Sequence, residues 1–234
     1  MTESIDLVFV SNSIDLSLWE MTRNAIRTGM QNAGMEVGTI VTIEQNRYII
    51  KQPTGKTIHY DFPFNYNKCL NLGKFVCNNS SHLHSSKRKS KSKYIAFCNN
   101  DLYFESNWAR NAVRAMKEYG YLSVSPTSKH IFSGVIEGYT IGRQLLGWCI
   151  IVDTCIFDKI GKFDESVNFW YSDDVYAHQL RKAGIKHALV GNSRVIHLLS
   201  RTMKKLKPKQ RIRYMSRQKY KQFKESINLR IKTN

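Results

Sequence analysis

Two short apolar runs separated by a stretch of helical periodicity open the chain, and they constrain its fold most strongly. Residues 5–10 and 37–43 are rich in aliphatic and β-branched side chains, which is typical of buried strands. Between them, residues 16–30 carry apolar side chains at helical spacing, and glycines mark the end of that stretch. A strand, a helix and another strand in this order predict a βαβ unit. We therefore predict an α/β fold with a mostly parallel central sheet flanked by helices.

A further apolar run, residues 94–98, ends at Asn99, Asn100 and Asp101. Asparagine and aspartate favour turns, so the strand is predicted to stop there. In an open α/β sheet, ligands bind beyond the carboxyl ends of the strands, and Asp101 is expected at that edge. A carboxylate in this place suits a divalent cation that holds a diphosphate.

Other acidic residues also stand at predicted strand ends or helix starts, namely Glu44, Asp173 and Asp174. Each of them taken alone is more typical of a helix cap or a turn than of a catalyst. Together with Asp101 they indicate two kinds of chemistry. Asp101 would hold a metal on a leaving diphosphate, and Asp174 or Asp173 would accept a proton from an incoming hydroxyl. His197 ends a predicted strand at the same edge, and although an isolated histidine is usually structural, here it is a candidate metal ligand.

The aromatic residues near these acids have two interpretations, which the sequence leaves open. Trp148 and the run Phe169-Trp170-Tyr171 are suited to a hydrophobic core. Tyrosine and tryptophan rings also stack on sugars and bases, so Trp170 is equally a candidate for a binding site.

Several function classes are disfavoured by features that the sequence lacks. It contains no GxGxxG, GxxxxGK[ST] or GxSxG pattern, which argues against dinucleotide-binding, P-loop and hydrolase functions. No apolar run approaches the roughly 18 residues of a membrane span, and no basic and then apolar segment opens the chain. We therefore expect neither a transmembrane segment nor a signal peptide. The five cysteines are odd in number and lack CxxC spacing, which favours reduced thiols and a cytoplasmic location.

The positive charge is concentrated at the end of the chain. Lys and Arg number 36 against 18 Asp and Glu, which gives a net charge of +18. Residues 201–234 hold 13 of these basic residues and one acid, so this tail carries +12. Such an excess predicts a polyanionic partner: nucleic acid, an acidic membrane surface or an anionic polymer. A second basic run, residues 87–93, is typical of a solvated surface. The alternative interpretation is a loop that contacts phosphate. Pro208 is expected to open a final helix, whose apolar side comprises Ile212, Met215, Tyr220, Phe223 and Ile227.

Five stretches of the sequence, taken in order, form a pattern of their own. They are an asparagine and glycine pattern over residues 65–73, N-N-D at 99–101, a block at 147–152 that opens with glycine and is followed by G-K-F-D-E at 161–165, Y-S-D-D at 171–174, and V-I-H at 195–197. This series resembles the GT-A glycosyltransferases, in particular the family 2-like inverting transferases of bacteria and phages. The N-N-D stretch is similar to a variant of that family's D-x-D motif. The resemblance covers residues 5–202.

The resemblance implies a nucleotide-sugar donor, usually a UDP-sugar, and a divalent cation, Mn²⁺ or Mg²⁺. Asp101 would take the role of the metal-binding carboxylate with His197 near the metal, and Asp174 that of the catalytic base. Trp170 and Tyr171 are expected to contact the acceptor. The residues expected around the donor are Ser11, Glu44, Asn71, Asn99, Asn100 and Trp148.

Two departures from the family pattern affect these roles. Asn99 replaces the first aspartate of D-x-D, so strict metal dependence is not implied. Tyr176 stands where the family's E-D-x-D block has its last acid. A shift of one residue would make Asp173 the base in place of Asp174.

The predicted function is the transfer of a sugar to an acceptor hydroxyl with inversion, by a GT-A catalytic domain at 1–202 and a basic helical extension at 203–234 packed on or beside it. The basic tail favours a polyanionic acceptor, which we take to be hydroxymethylcytosine in phage DNA, in the host cytoplasm. One alternative is a peripheral transferase that acts on a cell-surface polysaccharide or a lipid-linked glycan, with its tail on acidic lipid. Another is a nucleic-acid-binding protein that kept the fold but lost catalysis, which Asn99 permits.

Overall fold

The computed structural model describes residues 3–46, 52, 54–61, 63–79, 92–128, 132–198 and 219–225. Within these ranges the strands are β1 (Ser4–Ser11), β2 (Glu36–Glu44), β3 (Lys56–His59), β4 (Tyr94–Asn99), β5 (Leu102–Phe104), β6 (Ser123–Thr127), β7 (Val135–Glu137), β8 (Cys149–Asp153) and β9 (His187–His197). The helices are α1 (Leu16–Gln31), α2 (Tyr66–Asn79), α3 (Trp108–Tyr119), α4 (Ile156–Ile160) and α5 (Ser172–Lys182). Residues 219–225 are also helical.

The nine described strands form one mixed sheet, in the order β3-β2-β1-β4-β8-β6-β9-β5, with β7 paired to β9. The half that contains β3, β2, β1 and β4 is parallel, as the βαβ opening predicts. β8 then runs antiparallel between β4 and β6, while β6 and β9 are parallel to each other. Six strands therefore share one direction, and β5, β7 and β8 oppose it. Because β8 is reversed, its first residue lies at the same edge as the last residues of β1, β2 and β4.

The two faces of the sheet are covered by different helices. Alternate residues of β1 point to opposite faces, so Leu7 and Phe9 pack on the side of α1 and α3, whereas Val8 and Val10 pack on the side of α2 and α5. Trp108 is fully buried on the first side, and its indole N–H donates to the carbonyl of Gly29 at 2.9 Å. Burying one such apolar side chain contributes about 1.5–3 kcal/mol, so both faces stabilise the sheet.

The extent of β9 differs from the strands predicted from the sequence. The apolar runs at residues 185–190 and 195–197 predict two separate strands, but β9 runs from His187 to His197, and its pairing with β6 is irregular between Val190 and Arg194. Gly191 permits this because a Cβ there would clash with Phe132, which packs against the strand. Ser193 satisfies its hydroxyl by donating to the carbonyl of Trp108 at 2.7 Å. Tertiary contacts therefore keep the two predicted segments in one strand.

The asparagine and glycine pattern at residues 65–73 begins a helical region, as predicted, because α2 starts at Tyr66. Gly73 lies in α2 where the helix crosses β1, and a Cβ at this position would clash with Val8. Its lack of a side chain thus serves close packing of helix on sheet.

The C-terminal helix is described only in part. Residues 219–225 are helical, and Tyr220 and Phe223 contact α5 and the residue before it, in agreement with their predicted place on the apolar side. The other predicted apolar residues of the tail, the domain boundary at 202/203 and basic residues 87–91 lie outside the described ranges. None of the described helices combines the length and hydropathy needed to cross a bilayer.

Candidate active site

Asp101 and His197 lie together at the carboxyl edge of the sheet. β5, which begins directly after Asp101, pairs antiparallel with the end of β9, and the N–H of Leu198 donates to the Asp101 carbonyl at 2.9 Å. Both side chains are largely buried, and Nε2 of His197 lies 3.2 Å from Oδ1 of Asp101. The backbone pairing therefore brings together two residues that are 96 positions apart in the sequence.

This pair fits a divalent cation. Nε2 of His197 is buried and makes no hydrogen bond, although a carboxylate oxygen lies beside it. Imidazole nitrogen and carboxylate oxygen are both common ligands of Mn²⁺-type ions, and ligands of one ion approach each other in this manner. In the described ranges no group of three His, Cys, Asp or Glu side chains could hold a metal. Asp101 and His197 could each supply one ligand to such a cation.

The indole of Trp148 covers His197. The two rings are stacked with their centroids 5.3 Å apart and their planes at 16°. The Trp148 carbonyl accepts a hydrogen bond from the N–H of Asn99 at 2.9 Å, because β8 starts beside the end of β4. Trp148 therefore connects the strand that carries the N-N-D stretch to the histidine.

Gly147 brings the second acidic cluster to the same place. It directly precedes Trp148, and a Cβ built on it would lie 2.8 Å from the Cβ of Asp173. Only glycine allows α5 to approach this closely without a shift of the backbone. Asp101–His197 and Asp173–Asp174 are thus joined through two adjacent residues, and the two clusters share one side of the molecule.

Asp173 is the more enclosed of the two α5 acids. Burial, together with the charge of Asp174, raises the pKa of Asp173 to about 6. Its Oδ1 accepts the N–H of Asp174 at 3.1 Å. It lines a small pocket together with Tyr66 and Gly147. Tyr66 donates its hydroxyl to Oδ1 of Asn99 at 2.8 Å, which ties this pocket to the end of β4.

Asp174 is partly exposed at the start of α5. Its Oδ1 accepts a hydrogen bond from the hydroxyl of Tyr220, at 3.2 Å. Tyr171, just before the helix, has φ 71° and ψ 10°, a left-handed conformation that non-glycine residues rarely adopt. Strained backbone of this kind clusters at functional sites, and it sets the direction in which α5 begins.

Ser11 and Glu44 belong to a buried polar network at the ends of β1 and β2. The Glu44 carboxylate accepts the N–H and the hydroxyl of Ser13, at 3.0 and 2.9 Å, and the N–H of Asn46 at 2.9 Å. Ser11 contacts Ser13 through their hydroxyls at 2.9 Å. The amide of Asn100 reaches Ser11 at 3.3 Å and so joins the same network. The structure thus brings together Ser11, Glu44 and Asn100, three of the residues that are predicted to lie around the nucleotide-sugar donor.

The structure places Asn71 differently from the other predicted donor residues. Its side-chain amide donates to the carbonyl of Phe163 and to Oε1 of Glu165, both at 2.9 Å, while its oxygen accepts the N–H of Phe163 at 3.0 Å. Asn71 therefore holds the loop between α4 and α5. Of the predicted acceptor residues, Trp170 is 49% exposed, and the ring of Tyr171 is stacked on Tyr220.

Sequence reasoning missed three residues of this site. Tyr66 is hidden in the asparagine-rich pattern, and Ser13 resembles an ordinary turn residue. Tyr220 appears in the sequence only as part of an apolar stripe. A signal for Tyr220 does exist, since tyrosine is the one residue of that stripe whose buried end needs a hydrogen-bond partner.

Comparison with known proteins supports the fold. No protein-family model and no curated protein sequence matches this chain. Among solved structures, the crystal structure of GalNAc-T7 with UDP, GalNAc and Mn²⁺ is similar at a TM-score of 0.61 and 11% identity. The match covers 84% of this chain and 43% of that one. The fold is GT-A-like. The fold predicted from the sequence is therefore confirmed, and the region that matches GalNAc-T7 spans less than half of that protein.

Proposed function

We propose that this chain is a glycosyltransferase that moves a sugar from a nucleoside diphosphate sugar, a UDP-sugar, to an acceptor hydroxyl with inversion. One observation carries the proposal: Gly147 and Trp148 join the Asp101–His197 pair to the Asp173–Asp174 pair. A metal-ligand pair can hold a cation that stabilises the leaving diphosphate, and a carboxylate pair beside it can accept the proton of the attacking hydroxyl.

Asp101 and His197 would hold the divalent cation at the donor diphosphate. When bound, such a cation supplies neutralising charge to the diphosphate as it leaves. The network of Ser11, Glu44 and Asn100 lies at the neighbouring strand ends, where the proposal places the nucleoside. Asn99 is held by Tyr66 and offers an amide in place of a carboxylate, so donor binding without metal is weakened rather than abolished.

Asp174 acts as the base in this proposal. The acceptor oxygen attacks the anomeric carbon, the bond from that carbon to the diphosphate oxygen breaks, and its electron pair leaves with the nucleoside diphosphate. The acceptor proton passes to Asp174, and attack from the face opposite the leaving group inverts the anomeric centre. Asp173 is the second candidate base, but it packs against Gly147 and is more enclosed.

The acceptor in this proposal is DNA that carries hydroxymethylcytosine, modified by a phage enzyme in the host cytoplasm. The support is the net charge of +18 and the grouping of Lys219, Lys221 and Lys224 on the helical segment that contacts Asp174 through Tyr220. Lysine side chains grouped on one segment suit the phosphates of a polyanion. A hydroxymethylated base would have to leave the duplex to reach Asp174.

The same basic segment favours a second candidate, a peripheral transferase that uses a cell-surface polysaccharide or lipid-linked glycan. In that case the tail would lie on acidic lipid. A DNA mobility-shift assay run beside vesicle flotation separates the two acceptors. A silent nucleic-acid-binding protein would bind DNA and leave every UDP-sugar intact.

The function is tested by incubating the full chain with Mn²⁺, radiolabelled UDP-sugars and either hydroxymethylated or unmodified DNA. We expect label in the hydroxymethylated DNA alone, and the anomeric configuration of the product, determined by NMR, to be opposite to that of the donor. Label in a glycan or lipid acceptor instead would support the second candidate. A chain that neither binds nor hydrolyses any UDP-sugar would contradict the proposal.

A further inference from the structure

Residues 219–225 pack against the start of α5, beside the proposed base. The hydroxyl of Tyr220 donates to Oδ1 of Asp174 at 3.2 Å. The ring of Tyr220 lies parallel to that of Tyr171, with centroids 4.2 Å apart and an interplanar angle of 1°. One side chain of the tail therefore contacts both the acid and the strained residue three positions before it.

Two other contacts anchor the same segment. Phe223 meets the ring of His178 edge to face, with centroids 5.5 Å apart at 89°. Nζ of Lys219 donates to Oδ1 of Asn168 at 2.9 Å. Because these contacts lie on both sides of Tyr220, the position of its hydroxyl is set by a docked helix and not by one flexible side chain.

The hydroxyl of Tyr220 is a donor at every working pH. Burial and the charge of Asp174 raise the pKa of Tyr220 to about 12. The phenol therefore keeps its proton and does not compete with Asp174 as a base. A hydrogen bond to one carboxylate oxygen fixes the rotation of the whole group, which decides where the other oxygen points.

We propose that Tyr220 is a positioning residue for Asp174, so that the basic tail completes the active site as well as attracting the acceptor. The Tyr220 hydroxyl holds Oδ1, and Oδ2 is the oxygen we assign to the acceptor proton. The ring of Tyr220 is stacked on Tyr171 and supports the left-handed conformation of that residue, from which α5 begins. This inference rests on the proposed function, because it gives Asp174 the role of base.

The test compares Tyr220→Phe, which keeps the ring and removes the donor, with Tyr220→Leu, which removes both. The control is Tyr119→Phe, a change to a half-exposed tyrosine at the far end of α3. A hydrogen bond to a charged group accounts for about a tenfold to hundredfold effect, so kcat of Tyr220→Phe should fall by that factor with the KM for the donor unchanged. In an Asp174→Asn background the same change should have no further effect. A kcat equal to that of the wild type, or a loss confined to the donor KM, would overturn the proposal.

The contact itself is tested without any activity, by thermal unfolding of Tyr220→Phe, Asp174→Ala and the double variant. If the two groups are coupled, Tyr220→Phe lowers the Tm less in the Asp174→Ala chain than in the wild type. Additive shifts in Tm would overturn the inference. If the variants show this coupling but the wild-type chain neither binds nor hydrolyses UDP-sugars, the proposed function is refuted and the contact is not. The two failures can therefore be told apart.

Discussion

The indole of Trp148 lies against the imidazole of His197, with the ring centroids 5.3 Å apart and the planes at 16°. Nε2 of this histidine lies 3.2 Å from Oδ1 of Asp101, so the stack controls the orientation of a candidate metal ligand. Stacked aromatic pairs contribute about 0.5–1.5 kcal/mol beyond the area they bury. Trp148 is thus a support for the donor half of the site, and its removal should be measurable there.

Trp148→Ala should weaken the binding of Mn²⁺ in the presence of UDP. Loss of a group that orients a metal ligand typically costs about 10–100-fold in affinity, and we expect the lower end because the ring acts by packing alone. Isothermal titration calorimetry measures the change. Trp19→Phe, on α1, is the matched control. An unchanged Mn²⁺ affinity in Trp148→Ala would show that His197 needs no such support or binds no metal.

Asp173→Asn should make the protein more stable at neutral pH. The folded-state pKa of Asp173 is raised from 3.8 to about 6, so between these pH values the native state binds more protons than the unfolded state. The free energy of unfolding therefore falls as pH rises through this window, by at most about 3 kcal/mol. Asparagine cannot ionise and removes that loss.

The measurement is Tm at pH 4 and at pH 7.5 for both chains. We expect the difference between Asp173→Asn and wild type to appear at pH 7.5 and to shrink toward pH 4. A variant that is less stable at pH 7.5 would contradict the burial of a charged Asp173.

Local signals in the sequence were sufficient to place the strand ends that form the proposed donor edge. Apolar runs followed by polar turn residues place Asp101, Glu44 and Ser11 at strand ends. The parallel half of the sheet follows from the βαβ order. Those inferences need only the residues next to each other in the chain.

The join between the two acidic clusters could not be predicted in the same way. It depends on β8 running antiparallel beside β4. No residue of β8 indicates this long-range pairing. The contact of Tyr220 with Asp174 depends on where the tail docks, and helical periodicity gives the apolar side of a helix but not its partner. Likewise, β9 continues through Gly191 because of tertiary contacts made by Phe132 and Ser193. The residues next to Gly191 in the sequence do not indicate these contacts.

Gly147→Ala should lower activity more than it lowers stability. The added Cβ would lie 2.8 Å from the Cβ of Asp173, so α5 must move away from Gly147 and the two clusters separate. Small displacements of catalytic groups cost about 100-fold in rate. Steady-state kinetics beside thermal unfolding tests this.

Gly29→Ala is a suitable control for that variant, because a Cβ at Gly29 meets its neighbours at an ordinary 3.4 Å. It should leave turnover near the wild-type value. Full activity in Gly147→Ala would mean that the approach of α5 to Trp148 is not needed for catalysis.

Binding of the polyanionic acceptor should weaken steeply with salt. Each lysine that contacts a phosphate adds about 1 to the slope of log K against log salt, so Lys221→Gln with Lys224→Gln should reduce the slope by about 2. Lys186→Gln, a change to a lysine outside residues 219–225, should leave it unchanged. Fluorescence anisotropy with hydroxymethylated DNA measures the slope. Affinity that is independent of salt would argue against a DNA acceptor.

In the proposed mechanism, Asp101 holds the donor and Asp174 receives the acceptor proton. Its most direct test is to measure UDP-sugar binding with Mn²⁺ and sugar transfer in parallel for Asp101→Asn and Asp174→Asn. We predict that both variants lose transfer by about 100-fold or more, and that only Asp101→Asn loses donor affinity. Asp174→Asn with near wild-type transfer, or with donor affinity reduced as much as in Asp101→Asn, would contradict the account.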